Sequence, residues 1–178
     1  SVVNLKMKNY ESRLQIQQHE MLNLQLQIKP HFLYNTFNDI SSLAALHDYR
    51  GIQKMMRSMA DYFRYSVRTG YHMVPLEREL NFLHAYLSIM EMRFYGCFTF
   101  QSNVEADIEK VLIPPLLIHT FVENIMTHIV KVGTYTTITL NARRSEKYVI
   151  LEIIDDGEGM DEETVRRLND KKKLVDEF

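Results

Sequence analysis

Pro30 and His31 stand side by side in this sequence, and Asn35 follows four residues after the histidine. In a helix, Pro30 removes one backbone hydrogen bond and bends the chain, which sets the next turn apart from regular packing. Residues four apart share a helix face, so the Asn35 amide comes within reach of the His31 ring. Such a pair can hold an imidazole nitrogen, or a group reacting with it, in one orientation. The same residues also suit a plain helix junction whose histidine only caps or packs.

A second group is Glu123 and Asn124, with His128 four residues beyond the asparagine, inside the apolar stretch LLIHTFVENIMTHIV. An acid followed by an amide is costly there unless each finds a partner. Oxygen donors of this kind suit Mg2+, which keeps most of its waters and is usually shared with substrate phosphates. A polar face turned to solvent is the alternative. The third group is Asp155-Asp156-Gly157-Glu158-Gly159, at the end of a β-rich run. Its glycines let the backbone approach a ligand closely or adopt positive φ, and the Asp155 carboxylate suits an exocyclic amine. The motif is too short for a dinucleotide fingerprint and lacks the Lys-Ser/Thr of a P-loop. A calcium loop starting at Asp155 needs a glutamate in the twelfth position, where Arg166 stands. An ordinary strand-to-helix turn would look the same.

Helices must position the first two groups. Met7, Tyr10, Leu14, Gln17, Met21, Leu24 and Ile28 alternate at spacings of three and four, a coiled-coil seam with one polar position over residues 1–29, or else an amphipathic helix packed on its own domain. A helical pattern follows from His31 to about Thr69, with a break near Asp48 to Gly51. Gly70 and Pro75 punctuate the chain, and Pro75 suits the first turn of a further helix over Leu76 to Arg93, with Glu77 and Glu79 near its positive end. The character then changes. CFTFQSNV alternates as a half-buried strand should, Pro114 and Pro115 open the next helix, and TYTTITLNAR and KYVILEIID form a hairpin joined by RSE. A charged helix, DEETVRRLND, follows the glycine turn. The boundary falls near residues 94 to 98, between a helical half and an α+β half.

Composition narrows the class. The 178 residues are 46% hydrophobic and 25% charged, ordinary for a globular protein. A net charge of −2 with dispersed basic residues gives no footprint for nucleic acid. The one cysteine, Cys97, excludes an intramolecular disulfide framework and a cysteine-rich zinc site. No run of about 18 apolar residues is present to span a bilayer, and the opening residues do not read as a signal peptide.

Taken in order, these segments resemble the sensor histidine kinases of two-component systems, in particular the subgroup with a PHFLYNT phosphoacceptor box, here Pro30 to Thr36. YFRYSV at 62–67, VPLEREL at 74–80 and YLSIMEMRF at 86–94 match further segments of that subgroup. IPPLLIHTFVENIMTH resembles its N box, and IIDDGEGM its DNGxG box. The resemblance implies that His31 is a phosphoacceptor that attacks the γ-phosphate of ATP and later yields the phosphoryl group to an aspartate of a response regulator. It implies that Asn124 binds Mg2+, that Glu123 acts as a base or orients one, that Asp155 accepts from the adenine amine, and that Gly157 and Gly159 let the backbone close on the nucleotide. The implied fold is α+β: a signalling coiled coil over 1–29, a helical dimerisation and phosphotransfer region over 30–95, and an incomplete Bergerat-type α/β sandwich over 96–178. A homodimer facing a receiver domain, as the cytoplasmic part of a membrane sensor, completes that expectation.

Three features depart from the family pattern. Phe32, not an acid, follows the histidine; Ile129 stands where the N-box helix usually ends in His-Gly; and Asp156 replaces an asparagine, adding negative charge unless it points away. The second glycine box, expected soon after residue 170, is missing from NDKKKLVDEF. The expectation is therefore a kinase fragment with weak or no ATP binding of its own, and the alternative is a dimerisation and signalling module without nucleotide chemistry. The kinase reading requires the His31 ring to be accessible.

Overall fold

A computed structural model describes residues 30–68, 72–159 and 165–166. The coiled-coil segment, the bend that Pro30 would impose on it, and nearly all of the charged helix after Gly159 lie outside the described residues. The described residues divide into two compact units, one running to Tyr95 and taking in Glu109–His119, the other comprising Gly96–Ile108 and the residues from Thr120 onward.

The first unit is built on helices α1 (Pro30–Ala45), α2 (Tyr49–Arg68) and α3 (Leu76–Arg93). α1 buries Phe32 and Thr36, one turn apart, and the Thr36 hydroxyl donates to the Phe32 carbonyl at 2.8 Å. It ends in a Schellman arrangement: His47 takes φ 57°, its N–H donates to the Ala44 carbonyl, and the Asp48 N–H donates to that of Leu43. The break in the helical pattern is thus at Leu46–Asp48, and Gly51 lies inside α2. Asp48 explains the glycine. Its carboxylate caps α2 by accepting the Gly51 N–H at 2.9 Å, and a Cβ on residue 51 would run into that carboxylate.

α2 buries Met55, Met59, Tyr62 and Ser66, a stripe at spacings of four, three and four. α3 is buried over a much wider arc, from Leu76 to Met90. Pro75 stands just outside it as the N-cap residue and makes no side-chain cap. Backbone carbonyls do that work instead: the Leu76 N–H donates to Val111 and the Glu77 N–H to Glu109, each at 2.9 Å. Strand β1 (Val74–Pro75) accordingly pairs antiparallel with β3 (Leu112–Ile113), a short ladder that brings the later segment onto the helices. Phe32, Tyr62, Phe82, Tyr86 and the His119 ring pack against one another at the centre, with ring centroids 4.7 to 6.3 Å apart.

The second unit is a mixed sheet in the order β2 (Phe98–Val104), β4 (Thr136–Arg144), β5 (Val149–Asp155). β2 and β4 run parallel, which requires a crossover, and helix α4 (Leu117–His128) lies on that connection. β4 and β5 are antiparallel, with Ile138 opposite Asp155 and Arg144 opposite Val149. Thr136, Ile138, Leu140 and Ala142 point into the core, in the alternation expected of a half-buried strand. The hairpin turn occupies residues 145–148, closed by the Ser145 N–H on the Tyr148 carbonyl at 2.7 Å, so Arg144 belongs to the strand and not to the turn. The architecture is α+β.

Candidate functional site

His31 lies in the first turn of the described α1 and its ring is exposed, while its neighbour Phe32 is only 6% exposed and wedged between Tyr62 and Tyr86. The residue that replaces an acid after the histidine therefore anchors the helix, and leaves the imidazole facing outward. The Asn35 amide nitrogen stands 3.2 Å from Nδ1 and 3.1 Å from Nε2 of that ring. An amide N–H donated to either nitrogen occupies the lone pair that a nucleophile needs. With the amide turned over, its oxygen can accept the ring N–H and leave the lone pair of the other nitrogen without a donor from Asn35.

The middle of α1 is fixed from the far end of α3. Arg93 donates to Asp39 from Nε at 2.9 Å and from a terminal nitrogen at 2.7 Å, and that terminal nitrogen is 3.5 Å from the Thr36 hydroxyl. Sequence reading identifies Arg93 only as part of a matched stretch, because its partner lies 54 residues away.

In the second unit, α4 carries Glu123, half-buried, and Asn124, exposed, opposite the buried Val122, Ile125 and Met126. The desolvation that a buried amide would incur is avoided. Thr127 donates its hydroxyl to the Glu123 carbonyl at 2.8 Å, and His128 is exposed at the helix end. Asp155 ends β5, and its Oδ1 accepts the Gly157 N–H at 3.0 Å, which folds the turn back on the strand. Gly159 has φ 74°, a backbone that favours glycine. Ile129 packs on this turn: a Cβ on Gly157 would lie 2.6 Å from Ile129 Cγ2 and 2.8 Å from Asp155 Oδ1. The end of α4 and the Asp155 turn are therefore neighbours, with Asn124 about 7 Å back along the helix from Ile129. Asp156 is engaged as well. It accepts the Thr137 N–H at 2.8 Å, continuing with its side chain the β4 pairing that β5 ends at Asp155.

This donor set fits a nucleotide with Mg2+. Asn124 offers an oxygen ligand on the exposed side of the helix with the half-buried Glu123 beside it, and among the described residues no cluster of histidine, cysteine or carboxylate groups forms a metal cage. A hard cation that takes most of its ligands from phosphates and water needs no more than this.

The family model described as "Histidine kinase" matches residues 19–98. The sensor protein LytS of Bacillus cereus is 32% identical over 155 residues, covering 86% of this chain and 26% of that protein. The sensor histidine kinase YesM of Bacillus subtilis is 30% identical, covering 86% of this chain and 27% of its own. This chain thus spans about a quarter of the length of these relatives. A solved histidine kinase domain from the Erythrobacter litoralis EL346 blue-light activated histidine kinase gives a TM-score of 0.40 at 14% identity, covering 82% of this chain and 73% of that one, a likeness too slight to argue from. The matched residues include the histidine, the helix that carries it and the two that pack beneath it, and the chain belongs to the histidine kinase family of two-component sensors.

Proposed function

We propose that this chain is the catalytic core region of a sensor kinase that phosphorylates its own His31 from ATP and passes the phosphoryl group to an aspartate of a response-regulator receiver domain. The lone pair of one ring nitrogen forms the N–P bond as the bond from the γ-phosphorus to the bridging oxygen breaks, and ADP leaves with that electron pair. The ring N–H proton passes to a base, for which Glu123 is the candidate. In the second step the receiver carboxylate forms an O–P bond as the N–P bond breaks, the electron pair returns to the ring nitrogen, and the ring takes back the proton it gave up, which restores neutral imidazole. Asn124 would hold Mg2+, which would supply charge neutralisation on the phosphates. Asp155 takes the adenine amine, and Gly157 and Gly159 allow the close backbone approach that an incomplete Bergerat-type sandwich over 96–178 would need.

The observation that carries this reading is the exposed His31 ring with the Asn35 amide beside it, on a helix anchored by the neighbouring Phe32. Exposed Tyr34, Phe37 and Met56 on α1 and α2 support homodimerisation through the 30–95 helices. Residues 1–29 then act as the coiled coil that brings a signal to His31, and the region lies on the cytoplasmic side of a membrane sensor. No described helix is long and apolar enough to cross a membrane, so the proposal puts any anchor in other parts of the sensor.

A non-catalytic dimerisation module is the competing reading, resting on Ile129 and Asp156. The engagement of Asp156 with Thr137 weakens it, since that carboxylate is committed to the sheet. Incubating the full-length sensor with radiolabelled ATP tests the proposal. Acid-labile label that disappears in His31→Gln is expected, and label that persists in that variant overturns it.

A further inference from the structure

Glu79 has no part in the chemistry above, yet it is 0% exposed on the buried face of α3. Its Oε2 accepts the Tyr65 hydroxyl at 2.6 Å and the Leu116 N–H at 3.0 Å, and its Oε1 accepts the His119 N–H at 3.3 Å. Leu116 and His119 are the residues at the start of α4, Leu116 standing just before the first helical residue. Pro114 and Pro115 have no N–H, so the Leu116 N–H is the first donor after them. A carboxylate that takes the N-cap amide and another in the first turn does what a capping residue does, and it meets the positive end of the helix. Here it comes from a different helix, 37 residues earlier.

The geometry points to Glu79 as a positioning residue that anchors the first turn of the Asn124 helix onto the helices that carry His31. Leu116 has φ 61°, a left-handed backbone that a leucine rarely adopts, and the Glu79 bond holds it there. The anchor is continuous with the phosphoacceptor helix. Phe32, next to His31, packs tilted against Tyr62 at 4.8 Å; Tyr62 stacks on Phe82 at 4.8 Å; Tyr65 stacks on Phe82 at 4.4 Å and reaches Glu79 through its hydroxyl. The His119 ring closes the path, 4.7 Å from both Phe82 and Tyr86.

Orientation, not bulk stability, explains a carboxylate in this place. Burying a charge costs desolvation, and a leucine of similar size would fill the space without that cost. Three donors from two directions need an acceptor with two oxygens and no hydrogen. A glutamine would turn its own N–H groups on one of them. The matched segment VPLEREL places this glutamate three residues into the helix, while the sequence gives no sign of what it holds.

The role in phosphoryl transfer rests on the kinase reading, so the test reads the anchor and the transfer separately in the full-length sensor. In Glu79→Gln, hydrogen exchange at the Leu116 and His119 amides accelerates about tenfold or more while exchange along α3 is retained. The rate of His31 phosphorylation at saturating ATP falls about tenfold, and nucleotide affinity, measured by displacement of a fluorescent ATP analogue, stays within about twofold. A role in folding alone would lower both together. Tyr65→Phe, which removes only one hydroxyl, shows the same split at about threefold, and decides the matter if Glu79→Gln does not fold. Glu77→Gln, exposed on the same helix, changes neither quantity. Unchanged exchange at Leu116 and His119, or parallel losses of rate and affinity, overturns the assignment. A wild-type sensor that forms no phosphohistidine refutes the kinase reading, and the exchange measurement still decides whether Glu79 is the anchor.

Discussion

Arg93 grips Asp39 with two nitrogens, at 2.9 and 2.7 Å, and so ties the last turn of α3 to the middle of α1, two turns beyond His31. The side chains are 17% and 30% exposed, enough burial for the pair to contribute more than a surface ion pair does. Arg93→Ala should lower unfolding stability by about 1–3 kcal/mol, because it leaves Asp39 half-buried without its cation. Arg93→Lys should recover only part of this, since an ammonium cannot reproduce the planar fork. Urea denaturation of the two variants and of Asp39→Asn checks it. Equal stability of all three with the wild type would show that α1 is held by its apolar contacts alone.

Asn35 faces both nitrogens of His31 and is expected to govern which of them is available. Asn35→Ala should slow histidine phosphorylation in the full-length sensor by about tenfold, with little change in nucleotide affinity, because the ring loses its orienting partner and not its reactivity. Time courses of acid-labile label at saturating ATP measure this. A wild-type rate in Asn35→Ala assigns the amide to helix structure only.

Gly157 has no room for a side chain, since a Cβ would press on Ile129 and on the Asp155 carboxylate. Gly157→Ala should push Asp155 out of place and weaken nucleotide binding by about tenfold. Adding Ile129→Ala removes the obstructing branch, and the double variant should regain a good part of the affinity. Additive losses in a nucleotide titration would show that the two residues do not compete for space.

Asp156 accepts a backbone N–H through one oxygen, a task that an asparagine oxygen performs equally well. Asp156→Asn should therefore leave stability within about 0.5 kcal/mol, and Asp156→Ala should cost about 1 kcal/mol. Thermal unfolding of the three proteins distinguishes these outcomes. If Asn and Ala cost the same, the Thr137 bond contributes nothing.

Phe32 is the residue that makes His31 presentable. Truncating it to alanine should cost about 3–5 kcal/mol, because the aromatic cluster closes poorly over the gap. Loss of helical circular dichroism at lower denaturant measures the effect.

Much of this architecture follows from local pattern. The helix over Leu76 to Arg93, the β4–β5 hairpin and the reach of Asn35 to His31 need only the periods of 3.6 and 2, which a neighbouring residue either obeys or breaks. Gly51 misleads such reading, because its reason is the Asp48 carboxylate above it and not a break in the chain. The two-residue ladder of β1 with β3 leaves no period to detect, so the packing of Glu109–His119 with the helices is not legible in the sequence.

The amino-acid sequence by itself determined the main helices, the β4–β5 hairpin, the histidine motif and the family, because those depend on residue type and spacing within a few turns. Tertiary structure alone decided what holds them. The partners of Arg93 and Glu79 lie 54 and 37 residues away, and a hydrogen bond across that distance depends on the folded path of the chain, which no local spacing encodes.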